Sequence, residues 1–77
     1  MKITVLGAGA WGTALAIAFA GKNDVTLWSR EADVAVDLEN TRENHRFLPG
    51  HRLPDSVRVE TDFAASLAGA ELLVEKV

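Results

Sequence analysis

The sequence predicts an α/β fold, part of a doubly wound parallel sheet of about four strands with helices on both faces. Three features indicate this fold. A short apolar run at 2–6 ends in a glycine-rich turn, an alanine-rich helical segment follows, and a second β-rich run lies at 25–28. Strand, helix and strand fit within about thirty residues, the length of a βαβ unit. Such a crossover is almost always right-handed, so we expect that hand here.

The turn after the first strand, Lys2–Leu6, reads Gly7-Ala8-Gly9-Ala10-Trp11-Gly12. Gly7 is expected to turn the chain sharply, Gly9 to leave the backbone bare, and Gly12 to let the helix lie close to the strand. The free N–H groups at the start of the helix then point toward a bound phosphate. Glycine-rich turns occur in many folds, but the strand before this one and the helix after it favour a dinucleotide-binding turn over a purely structural one.

The first helix is predicted from Trp11 to Ala20, with Gly21 as its C-cap. Its inward face is expected to hold Gly12, Leu15, Ala16 and Phe19, which recur at spacings of three and four. Apolar residues on such a face belong to the core, so we expect Leu15 and Phe19 to pack there rather than against a ligand. The second strand, Val25–Trp28, follows a turn and completes a mononucleotide-binding half.

The residues that follow the second strand usually select the coenzyme. A carboxylate there binds the ribose 2′-hydroxyl of NAD, whereas the 2′-phosphate of NADP needs a cation. Ser29 is predicted to donate to a phosphate oxygen, and Arg30 to pair with the phosphate or lie flat on the adenine. Glu31 could reach the ribose in place of a carboxylate directly after the strand, so NAD also remains a candidate coenzyme. The cofactor is therefore predicted to be NADP or NAD, with a surface Arg30 paired to Glu31 or Asp33 as the alternative.

A second helix is predicted from Glu31 to about Glu39, with Val34, Ala35 and Leu38 facing inward. The following stretch, 40–55, contains two prolines and a glycine and is predicted to be a long loop. His45 and His51 lie in this loop without an acid or metal partner at a recognisable spacing. Both are therefore expected to be solvated surface side chains.

The last third of the chain predicts two more strands and a short helix. Val57–Glu60 alternates apolar and charged residues, which favours a strand at the sheet edge. A brief helix capped by Thr61 or Asp62 ends near Gly69, and the fourth strand opens at Glu71. The predicted sheet order is 3-2-1-4, with the outer edge of the fourth strand bare. A bare edge can pair with another chain, so a homodimer is an alternative state.

Composition and charge exclude several classes of function. The formal net charge is −3 and the arginines are interleaved with acids, so no nucleic-acid partner is expected. No apolar stretch reaches the length of a membrane span. The chain has no cysteine, which fits a cytoplasmic location and excludes a thiolate metal site. We predict neither a metal site nor a catalytic residue.

Four stretches together resemble the N-terminus of bacterial NAD(P)-dependent glycerol-3-phosphate dehydrogenases: 2–16, 25–30, 43–50 and 53–55. The Leu-Trp-x-Arg strand end and the Asn-x-Arg-Phe-Leu-Pro loop make the combination specific. The resemblance implies reversible hydride transfer between NAD(P)H and dihydroxyacetone phosphate, which yields glycerol 3-phosphate for phospholipid synthesis. It also implies that residues 1–77 are the N-terminal part of a dinucleotide-binding Rossmann domain, truncated before the second half and without the substrate domain.

The resemblance also implies roles for individual residues. Ala10 and Trp11 would line the pyrophosphate and nicotinamide side of the cofactor, Arg30 the adenosine end, and Phe47 the nearby adenosine pocket. Ala10 stands where the family often has Ser, so a hydroxyl contact is lost while backbone N–H contacts remain. The family's catalytic lysine and substrate-phosphate residues lie far downstream, and Lys76 matches no motif. The small phosphorylated substrate thus belongs to the full-length parent, and this chain alone is expected to be inert. The alternative is a non-catalytic module that binds nucleotide or dimerises.

Overall fold

Every predicted strand and helix forms, and a small additional ribbon stands where a loop was expected. The computed structural model describes residues 1–76. In this range the elements are β1 (Lys2–Leu6), α1 (Ala10–Phe19), β2 (Asp24–Trp28), α2 (Ala32–Thr41), β3 (Glu43–Asn44), β4 (Leu48–Arg52), β5 (Arg58–Glu60), α3 (Phe63–Leu67) and β6 (Leu72–Glu75). None of these helices is long and apolar enough to cross a membrane.

The main sheet has four parallel strands in the order β5-β2-β1-β6, as the sequence predicts. The two inner strands supply much of the core, because their apolar side chains are covered on both faces. Their buried residues are Ile3, Val5, Val25 and Leu27. Leu6 is paired with Trp28 at the last position of the two strands, so the segments after β1 and β2 emerge side by side.

The first helix differs from the prediction in its end and in its rotation. Helix α1 ends at Phe19, and its C-cap is Ala20 in a right-handed conformation, so the prediction of Gly21 as C-cap is wrong. Ala16 is fully buried and Phe19 packs against the core, whereas Leu15 is only half-buried. The close approach of the helix to the glycine turn fixes its rotation, and this rotation moves Leu15 off the buried stripe.

The second helix continues two residues beyond the predicted end, from Glu39 to Thr41. Its buried side chains are Val34, Ala35 and Leu38, which confirms the predicted inward face. Arg42 then ends the helix in the left-handed conformation, with φ of 59°. A residue with a side chain rarely adopts this conformation, and here the Arg42 N–H donates to the carbonyl of Leu38.

A two-stranded antiparallel ribbon, β3 and β4, replaces most of the predicted loop. Pro49 lies within β4, and proline and glycine normally argue against a strand. In a ribbon of two strands each strand has a free edge, so a residue without an N–H donor is tolerated there. The ribbon folds over the end of α2 and brings the segment between its strands toward the glycine turn.

The last helix and strand agree with the prediction. Asp62 caps α3, because its Oδ1 accepts hydrogen bonds from the N–H groups of Ala64 at 3.0 Å and Ala65 at 3.4 Å. Strand β6 pairs with β1 and forms the outer edge of the sheet. Leu72 and Leu73 on this strand are 43% and 50% exposed, so both faces of the edge strand are open.

Candidate functional site

A cleft of about 270 Å³ opens at the carboxyl ends of β1 and β2. Its lining residues come from the turns after these strands, from α2 and from the ribbon: Gly7, Ala8, Gly9, Trp28, Ser29, Arg30, Glu31, Val34 and Phe47. Five of the eight residues predicted to bind a cofactor are therefore brought together: Gly7, Gly9, Ser29, Arg30 and Phe47.

A larger and more open groove of about 640 Å³ lies at the amino ends of the strands, opposite the cleft. It is lined by residues that precede or begin the strands, including Met1, Lys2, Asp24 and Glu71. Open α/β sheets bind their ligands outside the carboxyl ends of the strands. The smaller cleft beside the glycine turn is therefore the candidate site.

The three glycines of the turn meet different physical demands. Gly7 has φ of +115°, a conformation closed to most side chains, and its N–H donates to the Trp28 carbonyl at 3.0 Å. A Cβ at Gly12 would overlap the carbonyl oxygen of Gly7 and lie 3.4 Å from Val5 Cγ1. A Cβ at Gly9 would meet no heavy atom within 4 Å. Gly7 and Gly12 are thus required by the fold itself, while the backbone at Gly9 faces open space at the cleft.

The N-terminus of α1 lies beside this open backbone. Gly9 is its N-cap, no side chain caps the helix, and its first turn contains no acidic residue. The N–H groups of the first turn and the positive end of the helix dipole are therefore available to an anion. Ala10 and Trp11 follow Gly9 and are exposed, but they are not among the lining residues of the cleft, and Gly12 is buried.

Ser29 is buried, with 2% of its surface exposed, and its polar groups are used within the chain. Its hydroxyl donates to the carbonyl of Glu31 at 2.8 Å, and its N–H donates to the carbonyl of Glu60 at 2.8 Å. The hydroxyl hydrogen predicted to reach a phosphate is thus already bonded. In this arrangement Ser29 shapes the turn that carries Arg30, and any direct contact uses its lone pairs or requires the hydroxyl to rotate.

Arg30 is exposed, but the pairing with Glu31 or Asp33 that the alternative predicts is absent. Both carboxylates pair with the Arg46 guanidinium, Asp33 at 3.3 Å, and among residues 1–76 no carboxylate oxygen lies within 4.0 Å of the Arg30 guanidinium. Arg46 also stacks on Phe47, with its Cζ 4.8 Å from the ring centroid. The exposed Arg30 side chain at the cleft is therefore left without a carboxylate partner in the described part of the chain.

Asn44 is a structural element of the site for which we predicted no role. Its side chain is fully buried, and its Nδ2 donates to the Ala8 carbonyl at 2.8 Å and to Thr13 Oγ1 at 2.9 Å. Its Oδ1 accepts the N–H of Phe47 at 3.0 Å. One amide thus joins the glycine turn, helix α1 and the ribbon. The only sequence signal was its place in the Asn-x-Arg-Phe-Leu-Pro stretch.

His45 is not simply solvated as predicted, because it has two acidic partners. Its Nδ1 lies 2.9 Å from Asp37 Oδ1, and its Nε2 lies 3.3 Å from Glu43 Oε2. The hydrogen bond to Asp37 raises the pKa of His45 above its ordinary value. Hydrogen bonds from the His45 backbone and ring lower the pKa of Asp37. His51 lies exposed on β4, as expected.

These shifts predict a pH-dependent contribution of His45 to stability. Because its pKa is raised on folding, the contribution is complete below the unfolded value of 6.5 and is lost as the pH rises through the folded value. We expect His45→Gln to lower the denaturant midpoint at about pH 5.5 and to have a smaller effect at about pH 8.5. His51→Gln is the control. Equal losses at both pH values would contradict the prediction.

Comparisons with known proteins agree with this geometry. Residues 2–77 match the family described as NAD-dependent glycerol-3-phosphate dehydrogenase N-terminus. The chain is 74% identical over 74 residues to the NAD(P)+ glycerol-3-phosphate dehydrogenase of Dechloromonas aromatica, covering 96% of this chain and 22% of that protein. With the enzyme of the same name from Chlorobium phaeobacteroides it shares 50% identity over 78 residues, covering all of this chain and 23% of that protein.

A solved structure gives the same result. The glycerol-3-phosphate dehydrogenase of Coxiella burnetii superposes with a TM-score of 0.89 at 39% identity, over 96% of this chain and 23% of that one. The parallel sheet and its helices are thus those of a Rossmann fold, as predicted. The chain spans about a fifth of the length of the curated relatives it matches. By its family match, the chain belongs to the NAD-dependent glycerol-3-phosphate dehydrogenases and corresponds to their N-terminal part.

Proposed function

We propose that the cleft binds the adenosine and pyrophosphate parts of NADP or NAD, as the N-terminal segment of a glycerol-3-phosphate dehydrogenase. The observation that carries this proposal is the open backbone at Gly9 beside the uncapped N-terminus of α1. A pyrophosphate needs close approach to bare backbone and unpaired N–H donors, and this turn offers both. The parent reaction is the reversible reduction of dihydroxyacetone phosphate to glycerol 3-phosphate, in the cytoplasm.

Different residues of the cleft are proposed to bind different parts of the coenzyme. Gly7 and Gly12 hold the turn in shape, while Gly9 and the N–H groups of Ala10 and Trp11 meet the pyrophosphate. The turn held by Ser29 presents Arg30 to the adenosine ribose and its 2′-phosphate. Phe47 supplies an apolar face for the adenine.

The coenzyme supplies the hydride chemistry, and this chain supplies binding and orientation. The N–H groups of the helix N-terminus act as fixed dipoles that hold the pyrophosphate. Neither a general acid nor a clamp for the substrate phosphate is proposed among the described residues. We therefore expect the 77-residue chain to bind coenzyme without reducing dihydroxyacetone phosphate.

Arg30→Ala tests the proposal at the adenosine end. We expect the Kd for NADPH to rise about tenfold, because a charge-assisted contact to phosphate is lost, and the Kd for NADH to change much less. Trp28 lines the cleft, so quenching of tryptophan fluorescence is the readout. Arg52→Ala, on the far strand of the ribbon, is the matched control. Equal weakening of both coenzymes would count against a 2′-phosphate contact, and no saturable quenching with either would count against coenzyme binding.

A second candidate function is self-association through β6. This strand is paired on one side, and Leu72 and Leu73 expose opposite faces of it. An open, apolar edge strand is a template for pairing with another chain, so a homodimer would bury both the edge and the leucines. Sedimentation velocity tests this. A stable monomer at high protein concentration would remove the dimer and leave coenzyme binding unaffected.

A further inference from the structure

Arg46 lies at the mouth of the cleft, in the segment between β3 and β4. Its guanidinium pairs with Glu31, the residue after Arg30, and its Nη1 lies 3.3 Å from Asp33 Oδ2. Its Cζ stands 4.8 Å from the centroid of the Phe47 ring. Glu31 and Phe47 both line the cleft, so one guanidinium organises two walls of it.

The two carboxylates held by Arg46 are those that chain proximity would give to Arg30. Glu31 follows Arg30 directly, and Asp33 lies in the first turn of α2. A carboxylate released from Arg46 could pair with Arg30 and thereby occupy the cation. It could also stand near the ribose, where it would accept from a 2′-hydroxyl and repel a 2′-phosphate. Either outcome would favour NAD over NADP.

We propose that Arg46 is a positioning residue for coenzyme selection, which holds Glu31 and Asp33 away from Arg30 and so favours a coenzyme with a 2′-phosphate. This inference rests on the proposed function, since it assumes that the adenosine ribose lies beside Arg30. Arg46 acts through the two carboxylates, and its stacking on Phe47 keeps the guanidinium in place. The selectivity of the cleft thus depends on a residue of the ribbon, beyond the strand end that usually decides it.

The test is a titration of the whole chain and its variants with NADPH and with NADH. Quenching of tryptophan fluorescence measures the binding. Arg46→Gln is expected to raise the Kd for NADPH about tenfold and the Kd for NADH less than about threefold. The variant R46Q/E31Q/D33N removes the released carboxylates as well. It is expected to return the Kd for NADPH to within about threefold of the original, because nothing then competes for Arg30.

Rescue by the triple variant separates positioning from a structural role, because loss of packing would not be repaired by two more substitutions. Arg52→Gln is the matched control, since Arg52 forms a comparable exposed pair with Asp55 at 2.9 Å. Arg46→Lys keeps the charge and should stay closer to the original than Arg46→Gln, and thermal unfolding reports the folded state of each variant. Equal weakening of both coenzymes by R46Q, or no rescue in the triple variant, would overturn the inference while leaving the proposed function intact. If the unsubstituted chain binds neither coenzyme, the proposed function fails and this inference fails with it.

Discussion

Replacing Gly12 with alanine is expected to destabilise the fold strongly. The added Cβ would overlap the carbonyl oxygen of Gly7 and lie 3.1 Å from its carbonyl carbon. These are backbone atoms at the end of a central strand, so the clash is relieved only by moving α1 away from the sheet. Overpacking of this kind costs about 3 kcal/mol or more. A domain of this size has about 4–12 kcal/mol in total, so the substitution removes a large share of the stability and should lower the denaturant midpoint strongly.

Gly9→Ala is the matched control for this prediction. A Cβ at Gly9 meets nothing within 4 Å, and its φ of −77° is open to any residue, so the fold should tolerate the change. The new methyl group would instead stand where the pyrophosphate approaches, and we expect coenzyme affinity to fall about tenfold. Circular dichroism with denaturant titration measures the first effect, and fluorescence titration the second. A folded Gly12→Ala variant with the original midpoint would show that α1 can move without cost.

Sequence patterns were sufficient to predict the βαβ unit, because the features that indicate it are local in the chain. The apolar run of β1, the spacing of Gly7, Gly9 and Gly12, and the apolar face of α2 each lie within a few residues. The order of the main sheet then follows from the handedness of the crossovers and their short connections. The ribbon was missed because Pro49 and Gly50 are read as loop residues, while the pairing of β3 with β4 is a tertiary arrangement.

The partners of the charged side chains could not be predicted for a related reason. The spacing along the sequence predicts that Arg30 pairs with Glu31 or Asp33. In the structure, Arg46 reaches both carboxylates from the ribbon and pairs with them instead. Likewise the His45 ring meets Asp37, eight residues earlier, because the ribbon folds back on α2. Such contacts depend on how segments that are distant in the chain pack together. A single sequence does not show which of their side chains meet.

The second large effect is expected at Asn44, where replacement by alanine removes three hydrogen bonds from a fully buried position. The Ala8 carbonyl and the Phe47 N–H lose their partner, and a small cavity is left behind. An unsatisfied buried polar group costs about 1–3 kcal/mol, so we expect a total loss of about 3 kcal/mol or more. Coenzyme affinity should fall as well, since Asn44 joins the glycine turn to the segment that carries Phe47.

Asn44→Asp and Asn40→Ala make this prediction specific to hydrogen bonding. Aspartate keeps the shape and the acceptor for Phe47, but near neutral pH it presents a second acceptor to the Ala8 carbonyl where a donor is needed. It should therefore destabilise the chain nearly as much as alanine, although it leaves no cavity. Asn40 is exposed near the end of α2, four residues before Asn44. Its replacement by alanine should therefore leave the denaturant midpoint unchanged. If Asn44→Asp were as stable as the original chain, the buried amide would be a filler of space, and the link between ribbon and glycine turn would have to lie elsewhere.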